Sequence, residues 1–457
     1  MPLQSINPAT DTILSTYQEM SSSEVADIVR VTHAAHLQWR GTSMDQRAGI
    51  LRGAAHLLRS RSDEWAQLMA AEMGKPVRDG VAEARKCADC CDYFAEQGAA
   101  MLARESVPTD DQHDSFVVYE PLGVVLAVMP WNFPFWQAFR ALAPAIMAGN
   151  AIVLKHASNV CGCAIALERI LRDAGAPEHL FRTLLIGSSR VDAVIEHPLV
   201  RGVTLTGSSD AGRAVASKAG QVLKKCVLEL GGSDAYLVLE DADLDMAATI
   251  CAKARLVNGG QSCIAGKRFL VVDPVREEFE KRFVAKMAAV RQGDPLDQAT
   301  EIGPMARRDL RDQLQRQVTA SVDRGARCLL GGSIPAGPGA FYPPTVLTDV
   351  RPGMPAYDEE VFGPVAAIIP VRDEAAAIEV ANDSMFGLGG GVVTRDLARG
   401  QRVAAALECG CMFVNEPVRS DPRLPFGGVK QSGYGRELSA FGIKEFVNVK
   451  SVVVNRG

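Results

Sequence analysis

The sequence has no excess of positive charge: 49 Lys and Arg stand against 54 Asp and Glu, for a formal net charge of −5. Without a basic footprint, attraction to a polyanion has no electrostatic drive, so no nucleic acid is expected as a partner. Long apolar runs are missing too. The nearest candidates are cut by Pro130, Pro144 and Gly149, and the first residues show no basic segment leading into an apolar one. A cytoplasmic protein with no membrane partner is the expectation. Histidine is scarce, with seven residues in all and none in an obvious catalytic motif. His33 and His36 lack a third ligand nearby, and Cys87 and Cys90 form a C-x-x-C with no second pair, so no metal is expected. Eleven cysteines, an odd number spread over 457 residues, argue for reduced thiols rather than a disulfide framework. A G-x-G-x-x-G is also absent.

What is present suits a soluble globular enzyme: 47% hydrophobic residues, 23% charged, 41 Gly and 24 Pro. The length exceeds one ordinary core and implies two or three domains. From Ser22 to Leu102 apolar residues such as Val25, Ile28, Val29, Leu51, Ala54 and Leu58 recur at helical spacing, and Ser22-Ser23-Glu24 supplies a cap. Residues 104–120 are polar and acidic and end as a hairpin or arm. The tail from Lys444 alternates like an exposed edge strand. Both features point to contact with another subunit, as a homodimer or homotetramer.

Between them short apolar strands alternate with helices: strands at 124–128, 151–154, 183–186 and 202–205, and helices at 137–147 and 161–173. This rhythm predicts a parallel, doubly wound α/β sheet with a ligand crevice at the carboxyl ends of its strands. The rhythm restarts after Glu229-Leu230-Gly231-Gly232, with strands near 235–239 and 268–272. The expected fold class is therefore α/β, two doubly wound domains with a small β oligomerisation arm. The dinucleotide-binding domain takes 1–109 and 128–230, the catalytic domain 231–431, and the arm with its terminal strand 110–127 and 444–457.

Chemistry concentrates at Asn258-Gly259-Gly260-Gln261-Ser262-Cys263. Glycines before a thiol let backbone amides approach a ligand, as a thiolate nucleophile and its oxyanion require. On those six residues alone a buried structural thiol is the commoner explanation. A hydrolase would want a histidine base. A thiol, a carboxylate at Glu229 and a dinucleotide site together suit oxidation of an aldehyde through a thioester.

The chain resembles the NAD(P)-dependent aldehyde dehydrogenase superfamily over essentially its full length. The resemblance rests on Pro130-Trp131-Asn132-Phe133-Pro134, Ala148-Gly149-Asn150 leading to Lys155, Thr206-Gly207-Ser208, Leu228-Glu229-Leu230-Gly231-Gly232, Gly260-Gln261-Ser262-Cys263, Glu360-Val361-Phe362-Gly363-Pro364 and Pro425-Phe426-Gly427-Gly428. It implies Cys263 as nucleophile, Glu229 as base for thioester hydrolysis, and Asn132 with the Cys263 backbone N–H as oxyanion donors. Lys155 would bind the adenosine ribose and help order the site, and Ser208 the pyrophosphate, while Glu360 and Phe362 would hold the nicotinamide ribose and ring. Trp131, Ser158, Gly207 and Leu230 complete the implied cofactor contacts.

Two departures sharpen the expectation. Ser158 stands where the family commonly has a glutamate that repels a 2′-phosphate, so both NAD and NADP are expected to serve. Ala265 stands where several semialdehyde dehydrogenases carry a second cysteine, so a disulfide switch is not expected. Within the family the chain is most similar to bacterial succinate-semialdehyde dehydrogenases, notably through Gly427 to Glu437 and Gly442 to Asn448. That similarity implies Arg140 and Ser420 as partners of a substrate carboxylate. A second arginine common six residues before the nucleophile is Val257 here, and Arg419 is a candidate replacement by its neighbourhood only. The expected reaction is oxidation of succinate semialdehyde. The alternatives are another small aldehyde, a coenzyme-A-acylating relative, which Glu229 opposes, and a non-catalytic member of the fold.

Overall fold

Val124–Met129, Ala151–His156 and Val200–Thr206 are apolar on consecutive rather than alternate residues, the pattern of strands covered on both faces. In the computed structural model, which describes residues 3–456, these strands form the middle of a six-stranded sheet. Val124–Met129 is central. Ala151–His156 and Phe181–Thr183 follow on one side, Val200–Thr206 and Lys225–Glu229 on the other, all parallel. Gly433–Tyr434 adds an antiparallel strand at the edge. The direction of winding reverses between Val124–Met129 and Val200–Thr206, which opens a crevice at their carboxyl ends. Register brings the ends level: Met129 lies opposite His156, and Thr206 opposite Glu229.

A second sheet has the order Arg327–Leu330, Thr345–Thr348, Val365–Val371, Gly266–Val272, Asp234–Val238, Gly389–Val393, Cys411–Val414. Only its first pair is antiparallel. Glu229 closes a strand of the first sheet and Asp234 opens one of the second, so four residues connect the carboxyl end of one sheet to the amino end of the other. Cys263 stands at that same end, three residues before Gly266–Val272.

The helical N-terminal region resolves into Ser22–Trp39, Met44–Ser60, Ser62–Met73 and Val77–Met101. The first two begin with reciprocal capping boxes, Ser21 with Glu24 and Ser43 with Gln46. Gly74, at φ 76°, ends the third, and a Cβ there would lie 2.7 Å from Pro304 Cγ. Val77–Met101 then runs beneath the crevice, packed on the wholly buried helix Trp136–Met147.

The arm is a three-stranded antiparallel sheet in which His113–Pro121 pairs with Val447–Asn455 along its whole length and with Glu105–Ser106. Its expected limits need correction. Residues 124–127 belong to the central strand of the first sheet, because Val124, Val125 and Leu126 are buried and bonded on both edges, and Gly123, at φ 137°, makes the turn out of the arm. Glu105–Ser106, conversely, pairs within the arm although it falls in the 1–109 span. Among the described residues no helix is long and apolar enough to cross a membrane.

Candidate active site

Three successive residues ahead of the thiol take left-handed backbone: Asn258 (φ 54°), Gly259 (φ 63°) and Gly260 (φ 75°). Only glycine and asparagine visit this region readily, which explains the composition of the turn. Gly260 has a second reason, since a Cβ there would come within 2.2 Å of the Gly363 carbonyl oxygen. The turn is held from several sides. Fully buried Arg255 donates to Gly260 O at 2.7 Å, Gln261 Oε1 accepts from Ala306 N at 2.9 Å, and Lys267 Nζ donates to Ser262 O at 2.8 Å and Cys263 O at 2.6 Å. Asn132 and Asn258 lock the turn to the loop after the central strand. Asn132 Nδ2 donates to Gln261 O at 3.1 Å, and Asn258 Nδ2 donates to Asn132 O at 2.7 Å. An amide nitrogen carries two hydrogens, so Asn132 keeps one beyond this bond.

Cys263 is half-buried, and burial pushes its thiol up to about 12, against the pull of the Arg140 and Lys267 cations. Glu229 is buried, and neither carboxylate oxygen accepts a hydrogen bond among the described residues. Burial, reinforced by the neighbouring Glu437, holds its carboxyl well above the usual range. Cys263 is therefore a thiol at neutral pH whose thiolate accumulates as pH rises, and the shift on Glu229 likewise favours its protonated form. Gly427 lets this carboxyl approach, because a Cβ there would sit 2.6 Å from Glu229 Oε1.

Cys263 opens onto a cavity of about 640 Å³ that is also lined by Phe133, Trp136, Arg140, Ser420 and Phe426. Arg140 and Ser420 are thus brought together, as the sequence pairs them. Arg140, however, is committed within the protein: its Nε forms an ion pair with Glu437, Nη2 donates to Thr206 Oγ1 at 3.2 Å, and its guanidinium lies 4.7 Å from the Phe426 ring centre. Arg419 points to solvent and pairs with Glu416 at 2.8 Å. Val257 lines the cavity without a charge.

The cofactor candidates lie along the crevice between the sheets. Ser208 caps the helix Ser209–Gln221, its Oγ accepting from Ala211 N at 3.3 Å, and Gly207 N donates to Glu229 O at 3.0 Å. A phosphate fits such a helix N-terminus. Leu230 packs so closely on Gly212 that a Cβ there would fall 2.5 Å from its Cδ1. Glu360 Oε1 accepts from Gly232 N at 3.0 Å and meets Lys267 Nζ at 3.3 Å, while Phe362 stands edge-on to Trp131 with ring centres 5.8 Å apart. Lys155 is buried and makes no ion pair among the described residues, and Ser158 begins a short turn that brings no carboxylate to the end of its strand. The donor set suits a dinucleotide, and the absence of an acid at 158 suits one with or without a 2′-phosphate.

The sequence model of the aldehyde dehydrogenase family matches residues 1–452. The chain belongs to the aldehyde dehydrogenase family. It is 47% identical over 452 residues to a succinate semialdehyde dehydrogenase [NAD(P)+] of Escherichia coli, covering 99% of this chain and 98% of that one. It is 44% identical to an NADP+ succinate-semialdehyde dehydrogenase of Deinococcus radiodurans, covering 99% and 94%. The crystal structure of a succinic semialdehyde dehydrogenase from Streptococcus pyogenes, in complex with NADP+ as the cofactor, superposes with a TM-score of 0.97 at 37% identity, covering 99% and 100%.

Sequence reasoning passed over part of this aldehyde dehydrogenase's cavity wall. Lys75, Glu83 and Lys86 all line it. Lys75 and Glu83 form a buried ion pair, and Glu83 Oε1 accepts from the Phe135 and Trp136 amides, each at 2.9 Å. The pair thereby fixes the N-terminus of Trp136–Met147, next to Asn132. Nothing in Val77–Met101 beyond helical periodicity marks these residues. Lys75 precedes that helix, Glu83 is buried within it and Lys86 is half-buried one turn on, an arrangement that shows only once the partner helix is in place.

Proposed function

We propose that the protein oxidises succinate semialdehyde to succinate with NAD or NADP and water. The observation that carries this reading is the cavity onto which the half-buried Cys263 thiol opens, lined by cationic groups and the Ser420 hydroxyl, with the partner-free carboxyl of Glu229 buried close enough to act on the thiol's electrostatics. Cys263, as thiolate, attacks the aldehyde carbon, and the Asn132 amide with the Cys263 N–H takes the resulting oxyanion. The dinucleotide, when bound, supplies the hydride acceptor that leaves Cys263 as a thioester. Glu229 then removes a proton from water, which attacks the thioester carbon; the C–S bond breaks, releasing the acid and restoring the thiol. Glu360 and Phe362 would hold the nicotinamide end, with Trp131 backing Phe362, and Lys155, Gly207, Ser208 and Leu230 would hold the adenosine and phosphate portions. Ser158 leaves both cofactors acceptable. Support for the substrate also comes from relatives named for it that match nearly the whole chain.

The antiparallel arm supports self-association as a homodimer or homotetramer, since its edge strand exposes Val449 and Val453 at 59% and 63%. A reducing cytoplasm suits eleven cysteines that are all free. The test follows the absorbance of the reduced cofactor with succinate semialdehyde and a panel of aldehydes, with NAD and NADP, with and without coenzyme A. Turnover with succinate semialdehyde independent of coenzyme A is expected. Turnover only with coenzyme A, or only with other aldehydes, would replace this reading.

A further inference from the structure

Seven cations line the cavity that Cys263 opens onto. Arg78, Lys253, Lys286 and Arg419 are exposed at its rim. Of the three that are not exposed, Lys75 is paired with Glu83 and Arg140 with Glu437. Lys86 alone among these three has no carboxylate within ion-pair reach in the described residues. Its Nζ donates to Ser420 Oγ at 2.8 Å and stands 4.3 Å from the centre of the Trp136 ring, and Trp136 Nε1 donates to the same Ser420 oxygen at 3.1 Å. Ser420 Oγ thus receives two hydrogens and keeps its own for an incoming acceptor.

We propose that Lys86, with the Ser420 hydroxyl beside it, receives the carboxylate of the substrate and so sets the preference for an acidic aldehyde. The proposal rests on the proposed substrate and adds the residue that selects it. A charged amine held partly out of water without a counter-ion is costly, and an anion that arrives at it gains a charge-assisted hydrogen bond in a weakly screened space. Arg140 stands behind, its charge balanced by Glu437, and Val257 contributes no cation. Lys86 thereby takes the place of the missing arginine from a different element. The amine's surroundings fit a group awaiting an anion: burial and the Arg140 cation hold it down to about 8, opposed by Cys87, Cys90 and Glu83. It is charged at neutral pH and loses its charge as pH rises past that value.

The test compares kcat/KM for succinate semialdehyde with that for butanal, an uncharged aldehyde of equal chain length, in the wild-type enzyme, K86M and K86R. The ratio of the two should fall about 10- to 100-fold in K86M, the range for loss of one charged hydrogen bond, and recover in large part in K86R. A ratio in K86M equal to the wild type's would overturn the assignment. A wild type that shows no preference for succinate semialdehyde would instead remove the proposed substrate, so the two failures are distinct. Should K86M not fold, the wild-type ratio is measured against pH. Titration of Cys263, Glu229 and Glu437 is common to both substrates and cancels, and kcat/KM reports the free enzyme. The ratio should then decline as pH rises through about 8; a flat ratio would overturn the proposal.

Discussion

The turn that carries Cys263 and the helix Val77–Met101 meet at the same cavity yet hold their residues in place by opposite means. The turn needs three left-handed residues in succession and a backbone approach that only glycine permits. The helix needs nothing unusual, since any of its exposed or half-buried positions accepts a lysine or glutamate without backbone strain. Reactive geometry therefore leaves a mark in the sequence, whereas groups that select a substrate can be carried on ordinary structure. Breaking each side of this contrast gives effects of very different size and kind.

The largest effect is expected on the turn. Cys263→Ala should abolish aldehyde oxidation while the affinity for cofactor, read by fluorescence titration, stays close to the wild type's, because the crevice contacts lie on other elements. Residual turnover near the wild-type rate would remove Cys263 from the reaction. Glu229→Gln comes next. A burst of reduced cofactor should persist while the steady-state rate falls about 10²–10⁴-fold, the usual reach of a positioned base. A missing burst would mean that the carboxyl acts before acylation, on the thiol itself.

On the helix side, Lys75→Met leaves Glu83 as an unpaired carboxylate in a site where the two side chains are only 1% and 3% exposed. Removal of one partner of a buried pair costs about 3–5 kcal/mol, which a urea unfolding curve would resolve. Because Glu83 also holds the Phe135 and Trp136 amides, the variant should lose kcat as well as stability. A loss of stability with kcat intact would show that the pair serves the fold alone.

The same contrast decides how much was legible. The parallel sheet around Val124–Met129 shows itself in consecutive buried aliphatics, and helices such as Cys161–Asp173 and Leu244–Leu256 in their periodicity. Gly389–Val393 did not, because three glycines carry no pattern; Gly391 is needed where the Tyr236 ring leaves no room, a Cβ there lying 2.5 Å from its Cε1. In the site, Cys263, Glu229 and Asn132 stand in glycine-rich or proline-rich motifs that betray constrained backbone. Arg140, expected as a carboxylate partner, does line the cavity, but its commitment to Glu437 depends on a residue 297 positions later and on no local spacing. Lys86 was silent because the feature that singles it out is the lack of a carboxylate around it in three dimensions.

The smallest effect separates two cations that differ only in how they are held. Arg419 is next to Ser420 in the chain, and position alone recommends it as a carboxylate partner. Its side chain is 60% exposed and paired with Glu416, also largely exposed. An exposed pair of that kind contributes little, and solvent screens its charge from the cavity. Arg419→Ala should therefore change KM for succinate semialdehyde by less than about 2-fold, within the spread expected for a surface ion pair. A rise as large as that expected for K86M would reverse the contrast, placing the selecting charge on the loop and leaving the helix as scaffold.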